Sequence, residues 1–142
     1  MSKEEELEQK EFIKWLDTNK LFYFAVVNEN KQSSTNKNMA LRIAAKSKSM
    51  GKKSGVSDLV VFTQDKILFI EMKRQRKKLK SGKLSSEKLS SDEQDKFIEN
   101  VSKYDYADGR VCYGAVEAIE FVKMFKYWFY GVVNVDKWRD EK

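Results

Sequence analysis

The alternation of apolar and polar residues predicts two paired strands near the middle of the chain. The runs at 59–62 and 67–70 are short, apolar and rich in β-branched and aromatic residues. The four residues between them, Thr63–Lys66, suit a tight hairpin turn. The second run leads directly into Glu71 and Lys73. Because side chains alternate along a strand, these two residues share one face of the predicted sheet.

Elements on both sides of this hairpin are predicted from the same periodicities. In chain order they are a helix with an apolar stripe from Leu7 to Leu16, a strand at Leu21–Val27, a helix at Met39–Ser49, a helix that opens at Ser91, runs through Val101 and ends around Tyr104 to Asp108, a strand at Gly109–Tyr113, a helix at Ala115–Phe125 and a strand at Tyr127–Val135. Leu21–Val27 is almost continuously apolar, which predicts burial on both faces. Four aromatic residues are accordingly expected in the core: Phe22, Phe24, Trp128 and Phe129. The order α-β-α-β-β-α-β-α-β predicts a mixed sheet flanked by helices.

Length and composition indicate one globular domain over residues 1–142. The chain is 35% charged and 41% hydrophobic, and no apolar run approaches the ~20 residues that span a bilayer. The acidic amino terminus lacks the basic-then-apolar order of a secretory signal. We therefore expect a soluble, cytoplasmic protein that does not interact with membranes.

Two features of the composition limit the chemistry. The sequence contains no histidine, and Cys112 is its single cysteine. Classical zinc sites, histidine-based acid–base catalysis and an internal disulfide are thereby excluded. Any metal must bind to oxygen ligands, which indicates Mg²⁺, Mn²⁺ or Ca²⁺. Cys112 lies in an apolar strand and is expected to be a small buried hydrophobe.

The net charge of +6 is unevenly distributed. Residues 73–88 hold eight lysines and arginines against a single acid, Glu87. Such a cluster beside a sheet suits binding to a phosphate backbone, because neutralised phosphates release counterions. From charge alone, a solvated basic loop is an equally good explanation. The loop from Lys77 to Ser91 is of low complexity and contains LysLeuSerSer twice.

An acid at the start of one strand, a tight turn and Glu-x-Lys at the end of the next strand together resemble the PD-(D/E)XK nucleases. The closer resemblance is to the VRR-NUC family, in its small stand-alone form from phages and bacteria, and it extends from about 5 to 123, with 124–142 as an additional segment. The matching features are Glu5 and Gln9 in the first helix, Asn28 after the first strand, Gly51 and Gly55 before the acid, SDLVVF with Asp58, FIEMKR with Glu71 and Lys73, Gln94, and the closing VCYGAVEAIEFV.

The resemblance implies a restriction-endonuclease-like fold and a metal site that hydrolyses DNA. Asp58, Glu71 and the backbone carbonyl of Met72 would bind Mg²⁺ or Mn²⁺, and Lys73 would position the attacking water. By the same resemblance, Glu5 adds a carboxylate and Gln94 orients substrate or water. The sequence leaves open whether Glu8 takes the place of Glu5.

The same residues also have purely structural explanations. Asp58 could be a turn residue, Glu71 with Lys73 an exposed ion pair, and Glu5 and Gln94 parts of capping boxes that begin at Ser2 and Ser91. Two departures from the family pattern stand out. Ser57 occupies the position where the family usually has proline, and the loop from Lys77 to Ser91 is longer than usual, which affects substrate preference more than activity.

The expected function is that of a structure-selective DNA endonuclease that leaves a 5′-phosphate, as the family implies. A homodimer that resolves four-way (Holliday) junctions in a bacterial or phage-infected cell is the favoured form. Its dimer surface would involve the first helix or the carboxyl-terminal tail. Residues expected to contact DNA are Lys52, Lys53, Arg74, Arg76, Lys77, Lys78 and Lys80. The alternatives are a nuclease for flaps or linear duplex and a DNA-binding module without catalysis.

Overall fold

The computed structural model describes residues 1–27 and 36–128. The elements in these ranges are α1 (Lys3–Thr18), β1 (Tyr23–Ala25), α2 (Lys37–Ser49), β2 (Leu59–Phe62), β3 (Ile67–Lys73), α3 (Asp92–Val101), β4 (Ala107–Tyr113) and α4 (Ala115–Lys123). These eight elements follow the predicted order. Asn28 and the predicted strand at Tyr127–Val135 lie outside the described residues, except that Tyr127 and Trp128 are described and are not in a strand.

The four strands form one mixed sheet in the order β1-β2-β3-β4. β2 and β3 are antiparallel, and their predicted hairpin is closed by the N–H of Thr63, which donates to the Lys66 carbonyl at 2.8 Å. β3 and β4 are parallel and in register over their whole length. Because parallel neighbours need a crossover, the chain passes through α3 between them. β1 is antiparallel to β2 at one edge.

The core lies on the face of the sheet that α1 and α4 cover. Phe12 and Leu16 of α1 and Phe121 of α4 are buried there. The sheet contributes alternate residues to the same core: Leu59, Val61, Leu68, Ile70, Met72 and Cys112. α3 packs on the opposite face, where the ring of Phe97 meets Phe69 edge-on with centroids 5.7 Å apart. Since Glu71 and Lys73 alternate with Met72, their side chains lie on the α3 face.

The prediction that the first strand is buried on both faces is wrong. β1 is a three-residue edge strand, and Phe22 and Phe24 beside and within it are 66% and 45% exposed. Their rings and that of Phe62 cluster on the open side of the sheet. Trp128, also expected in the core, is exposed, whereas Phe129 lies outside the described residues. Within the described residues, Tyr23 packs against the core on the inner face, whereas Phe22 and Phe24 on the other face remain exposed, which explains the difference.

α2 and the long basic loop both lie at the surface. α2 begins two residues before the prediction, and none of its residues is buried. The loop contains a small hairpin in which Lys78 and Leu84 pair and the N–H of Leu79 donates to the Lys83 carbonyl at 2.8 Å. Among the helices of the described residues, none has the length and apolar character needed to cross a bilayer.

Candidate active site

The carboxylate of Asp58 is fixed to the end of β3. The last pair of the β2–β3 ladder is Leu59 with Ile70, so the two strands separate beyond it. There Asp58 Oδ2 accepts a hydrogen bond from the N–H of Met72 at 2.8 Å. The N–H and C=O of one residue leave a strand on the same edge. The Met72 carbonyl is therefore directed toward the Asp58 side of β3.

Glu71 and Lys73 form a buried ion pair next to Asp58. Lys73 Nζ lies 3.6 Å from Glu71 Oε1, and the two side chains are only 11% and 5% exposed. An ion pair at the surface is easily hydrated, but a buried pair loses hydration that its mutual attraction only partly restores. The explanation of these residues as an exposed ion pair is therefore excluded. The burial of these two charged side chains at the end of β3 must therefore have an explanation other than a surface ion pair.

Gln94 caps α3 and contacts Glu71 at the same time. Its Oε1 accepts the N–H of Ser91 at 2.9 Å, and Ser91 Oγ accepts the N–H of Gln94, which completes the predicted capping box. Its Nε2 donates to Glu71 Oε1 at 2.6 Å. The two roles that sequence patterns left as alternatives are thus combined in one amide. The cap fixes the amide group, and the amide fixes Glu71.

The two candidate glutamates of α1 occupy different surroundings. The charge of Glu5 acts on Asp58 and contributes to raising its pKa. Glu8 instead accepts from Gln75 Nε2 at 2.6 Å and from the backbone N–H of Ala115 at 2.7 Å, so it caps α4. This position of Glu8 was not anticipated, because Gln75 and Ala115 are distant in sequence. Of the two glutamates, Glu5 is the one that influences Asp58.

The electrostatics of the site favour a bound proton when no cation is present. Burial is the main cause that raises the pKa of Glu71 to about 8, and the negative charge of Asp58 raises it further, while Lys73 lowers it. Burial also raises the pKa of Asp58, although the Met72 N–H and the charge of Lys73 oppose the shift. Two neighbouring carboxylates titrate as a pair. At neutral pH the pair therefore retains a proton.

The oxygen atoms at this point fit a divalent cation. Glu71 Oε2 is buried and receives no hydrogen bond from the N–H groups or cations of the described residues, so a proton shared with Asp58 is what can satisfy it in the absence of a cation. Two buried carboxyl groups that share a proton are an unfavourable arrangement, which a divalent cation bound to both would relieve. Asp58 and the Met72 carbonyl add hard oxygen donors of the type that Mg²⁺ and Mn²⁺ prefer. Across residues 1–27 and 36–128, no three acidic or cysteine side chains form a group that could hold a metal ion, so a backbone carbonyl or water would have to complete the coordination of any bound cation.

The residues expected to bind DNA fall into two groups. Arg74 and Arg76 are engaged within the fold: Arg74 pairs with Glu87 at 3.4 Å, and Arg76 pairs with Glu117 at 2.9 Å while lying 3.8 Å over the Tyr113 ring. These contacts brace the long loop against β4 and α4. The remaining lysines are exposed: Lys52 and Lys53 precede Asp58 in the chain, and Lys77, Lys78 and Lys80 follow β3.

Gly55 joins the segment before Asp58 to the amino terminus of α3. Its φ is +73°, and an added Cβ would lie 2.7 Å from the backbone N of Gln94 and closer still to the Glu93 carbonyl. Only glycine permits both this conformation and this approach. The sequence signal was the Gly-x-x-x-Gly spacing, which marked the position but did not show its contact. The contact places the Asp58 segment and Gln94 in fixed relation.

Comparison with known proteins agrees with this geometry. The VRR-NUC domain matches residues 3–116 of the 142-residue chain. No protein of the curated set matches the chain. A solved structure described as a VRR_NUC domain protein covers 91% of this chain and 95% of its own, with a TM-score of 0.61 and 18% identity, and this likeness shows the fold. The predicted fold class is thereby confirmed, and the chain belongs to the VRR-NUC family of nuclease domains.

Proposed function

We propose that this chain is a metal-dependent DNA endonuclease that hydrolyses phosphodiester bonds at the site around Asp58, Glu71 and Lys73. The observation that carries the proposal is the burial of Glu71 beside a second carboxyl group, with one oxygen that no N–H group or cation of the described residues satisfies. A purely structural cluster would satisfy that oxygen, whereas a metal ligand leaves it available. Membership of a nuclease family supports the reaction class.

Each side chain then has a definite task. Asp58, Glu71 and the Met72 carbonyl would hold Mg²⁺ or Mn²⁺, and Glu5 would contribute directly or through water. Such an ion would lower the pKa of a water molecule bound to it and would polarise the phosphate. Lys73, held near Glu71, orients the attacking water and offsets negative charge that develops on the phosphate. Gln94 holds Glu71 Oε1 in place.

The substrate that we favour is branched DNA, with four-way junctions first and flaps or linear duplex as alternatives. Resolution of a four-way junction requires two opposed cuts, which a C₂ homodimer provides through its symmetry. α1 or residues 124–142 would form part of the dimer surface. Lys52, Lys53 and the exposed lysines that follow β3 would contact the phosphate backbone, while Arg74 and Arg76 would support the loop that carries those lysines.

The decisive experiment incubates labelled four-way junction, flap and linear duplex with Mg²⁺, Mn²⁺ or EDTA. Wild type should cut at least one substrate only with metal. Asp58→Ala and Lys73→Ala should reduce the rate by at least about 100-fold. Glu99→Gln, a change at an exposed residue of α3, serves as the control and should leave the rate unchanged.

The alternatives give different results in the same experiment. Tight, salt-dependent DNA binding without any metal-dependent cutting would identify a non-catalytic binding module. Normal cutting by both Asp58→Ala and Lys73→Ala would show that the reaction occurs elsewhere. Sedimentation at micromolar concentration tests the assembly separately, and a monomer there would contradict the dimer.

A further inference from the structure

Residues 36–57, which we name the basic segment, combine six cations with no acid. They comprise α2 and the connection to Asp58, and the cations are Lys37, Arg42, Lys46, Lys48, Lys52 and Lys53. The net charge of the whole chain is also +6, so the rest of the chain is neutral overall. The expected electropositive region was the loop after β3. The signal that would have located this second region was the absence of acids, rather than the density of cations.

The cations of the basic segment are not used inside the fold. Within the described residues, none of the six takes part in an ion pair. In the loop at 73–88, by contrast, four of the eight cations are paired with acids: Lys73, Arg74, Arg76 and Lys88. Unpaired cations remain available to an anionic partner and keep their counterions until one binds.

α2 is not placed there to build the core. It has no buried residue, and its 13 residues extend over roughly 20 Å. Apolar residues are also exposed along it, including Met39, Leu41 and Ile43. At 100° per residue, Leu41 falls near Lys48 on one side, while Met39 falls near Lys46 on the other. Cations and apolar residues are therefore interleaved around the helix, unlike the separated faces of a helix that lies in a membrane surface.

The carboxyl-terminal end of the basic segment is joined to the site. Gly55 packs against the backbone of Glu93 and Gln94, and Gln94 donates to Glu71. Three residues after Gly55, Asp58 binds the N–H of Met72. The carboxyl-terminal end of the segment is thus held against α3, next to the candidate catalytic groups. This connection distinguishes the segment from a basic surface that merely increases solubility.

We propose that α2 and the connection after it form the main docking surface for the phosphate backbone of a DNA duplex. The inference extends the role given to Lys52 and Lys53 to the cations of α2, and it rests on the proposed function for the identity of the polyanion. Its contacts are to phosphates and are independent of base sequence. The four unpaired lysines of the loop form a smaller contact on the other side of the site.

The test compares two triple variants that change the charge equally and retain helix-forming side chains. In the first, three cations of α2 are replaced: R42Q, K46Q and K48Q. In the control, three lysines of α1 and α4 are replaced: K10Q, K14Q and K123Q. Binding of a fluorescent duplex is measured in EDTA over a range of salt concentrations, so that no cleavage occurs. Circular dichroism verifies that both variants are folded.

Each lost phosphate contact should lower the slope of log K against log salt by about 0.9. The magnitude of the slope should therefore be smaller than that of wild type by about 2–3 for the α2 variant and by less than about 0.5 for the control. Equal losses in both variants would overturn the inference, because the effect would then be one of net charge alone.

Two further outcomes separate this inference from its alternatives. If wild type binds with the expected slope but never cleaves with metal, the nuclease proposal fails while the docking surface stands. Sedimentation with phosphatidylserine vesicles tests a membrane partner. Vesicle binding that the α2 changes abolish, together with an unchanged DNA slope, would overturn the assignment of DNA as the partner.

Discussion

Replacement of Glu71 by glutamine should stabilise the metal-free protein at alkaline pH. The wild-type side chain is buried, accepts from Gln94 and faces the negative charge of Asp58. When it ionises, the cluster of Asp58, Glu71 and Lys73 acquires a net negative charge away from water. Glutamine has nearly the same shape and remains neutral, so the variant keeps the packing without this charge.

The direction of the effect comes from the raised pKa of Glu71. A carboxyl group whose pKa changes from 4.5 to about 8 on folding binds its proton more tightly in the folded chain. Its contribution to stability is fully present below about pH 4.5 and is lost as the pH rises to about 8. At about 1.36 kcal/mol per pKa unit, the loss is about 5 kcal/mol at most. Because Asp58 titrates together with Glu71, we expect roughly 2–4 kcal/mol.

Urea unfolding in EDTA at pH 5, 7 and 9 measures this loss. The free energy of unfolding of wild type should decrease between pH 5 and 9. The decrease for Glu71→Gln should be smaller by roughly 2–4 kcal/mol. Glu99→Gln, an exposed glutamate of α3, should follow wild type at each pH. If Glu71→Gln loses as much stability as wild type over this range, Glu71 is not the buried titrating group and the electrostatic account is refuted.

The same variant tests the metal ligands. Mn²⁺ at about 100 times its dissociation constant should stabilise wild type by about 2.7 kcal/mol at pH 8. Glu71→Gln should respond far less, because an amide oxygen is a weaker ligand than a carboxylate. Equal stabilisation of both proteins would place the metal away from Glu71.

Three further changes test the supports of the site. Gly55→Ala should reduce activity and destabilise the protein by at least about 1–2 kcal/mol, because the added Cβ meets the α3 backbone. Gly51→Ala introduces a similar strain at a positive φ but has nothing within 4 Å, so it should keep full activity, and full activity in both variants would contradict a role for the contact. Gln94→Ala should reduce kcat by more than Ser91→Ala does, because Ser91→Ala removes a helix cap worth about 1 kcal/mol but leaves the hydrogen bond from Gln94 to Glu71. Equal rates for the two variants would show that Gln94 acts only as a helix cap. Glu8→Ala should lower the free energy of unfolding in urea by about 1–2 kcal/mol, because α4 loses its cap. An unchanged midpoint would contradict the hydrogen bond from the Ala115 N–H to Glu8.

The centre of the site was predictable because it depends on short-range rules. A turn at Thr63–Lys66 fixes the pairing of two strands, and strand alternation then places Glu71 and Lys73 on one face. The structure has both features. Asp58 required one more step, since its bond to the N–H of Met72 exists only because β2 and β3 separate at that point.

The outer parts were not predictable from local pattern. The apolar run at Leu21–Val27 indicates a strand, but its position at the edge of the sheet depends on the order of strands, which no local window contains. Arg74 and Arg76 illustrate the same limit for charge. Their acidic partners are Glu87 and Glu117, which are 13 and 41 residues away along the chain. Charge density alone could not show that these arginines brace a loop.

The distribution of charge gives metal and DNA binding a common cause. In the proposed function the basic segment would attract a phosphate backbone toward Asp58, but Asp58, Glu71 and Glu5 would repel the phosphate that comes nearest to them. A proton on Glu71 removes only part of this negative charge, whereas a divalent cation removes more and also binds phosphate oxygen. Because each ligand then lowers the electrostatic cost of the other, binding of metal and of DNA should reinforce each other reciprocally. If the proposed function is correct, the metal should thus take part in DNA recognition as well as in hydrolysis.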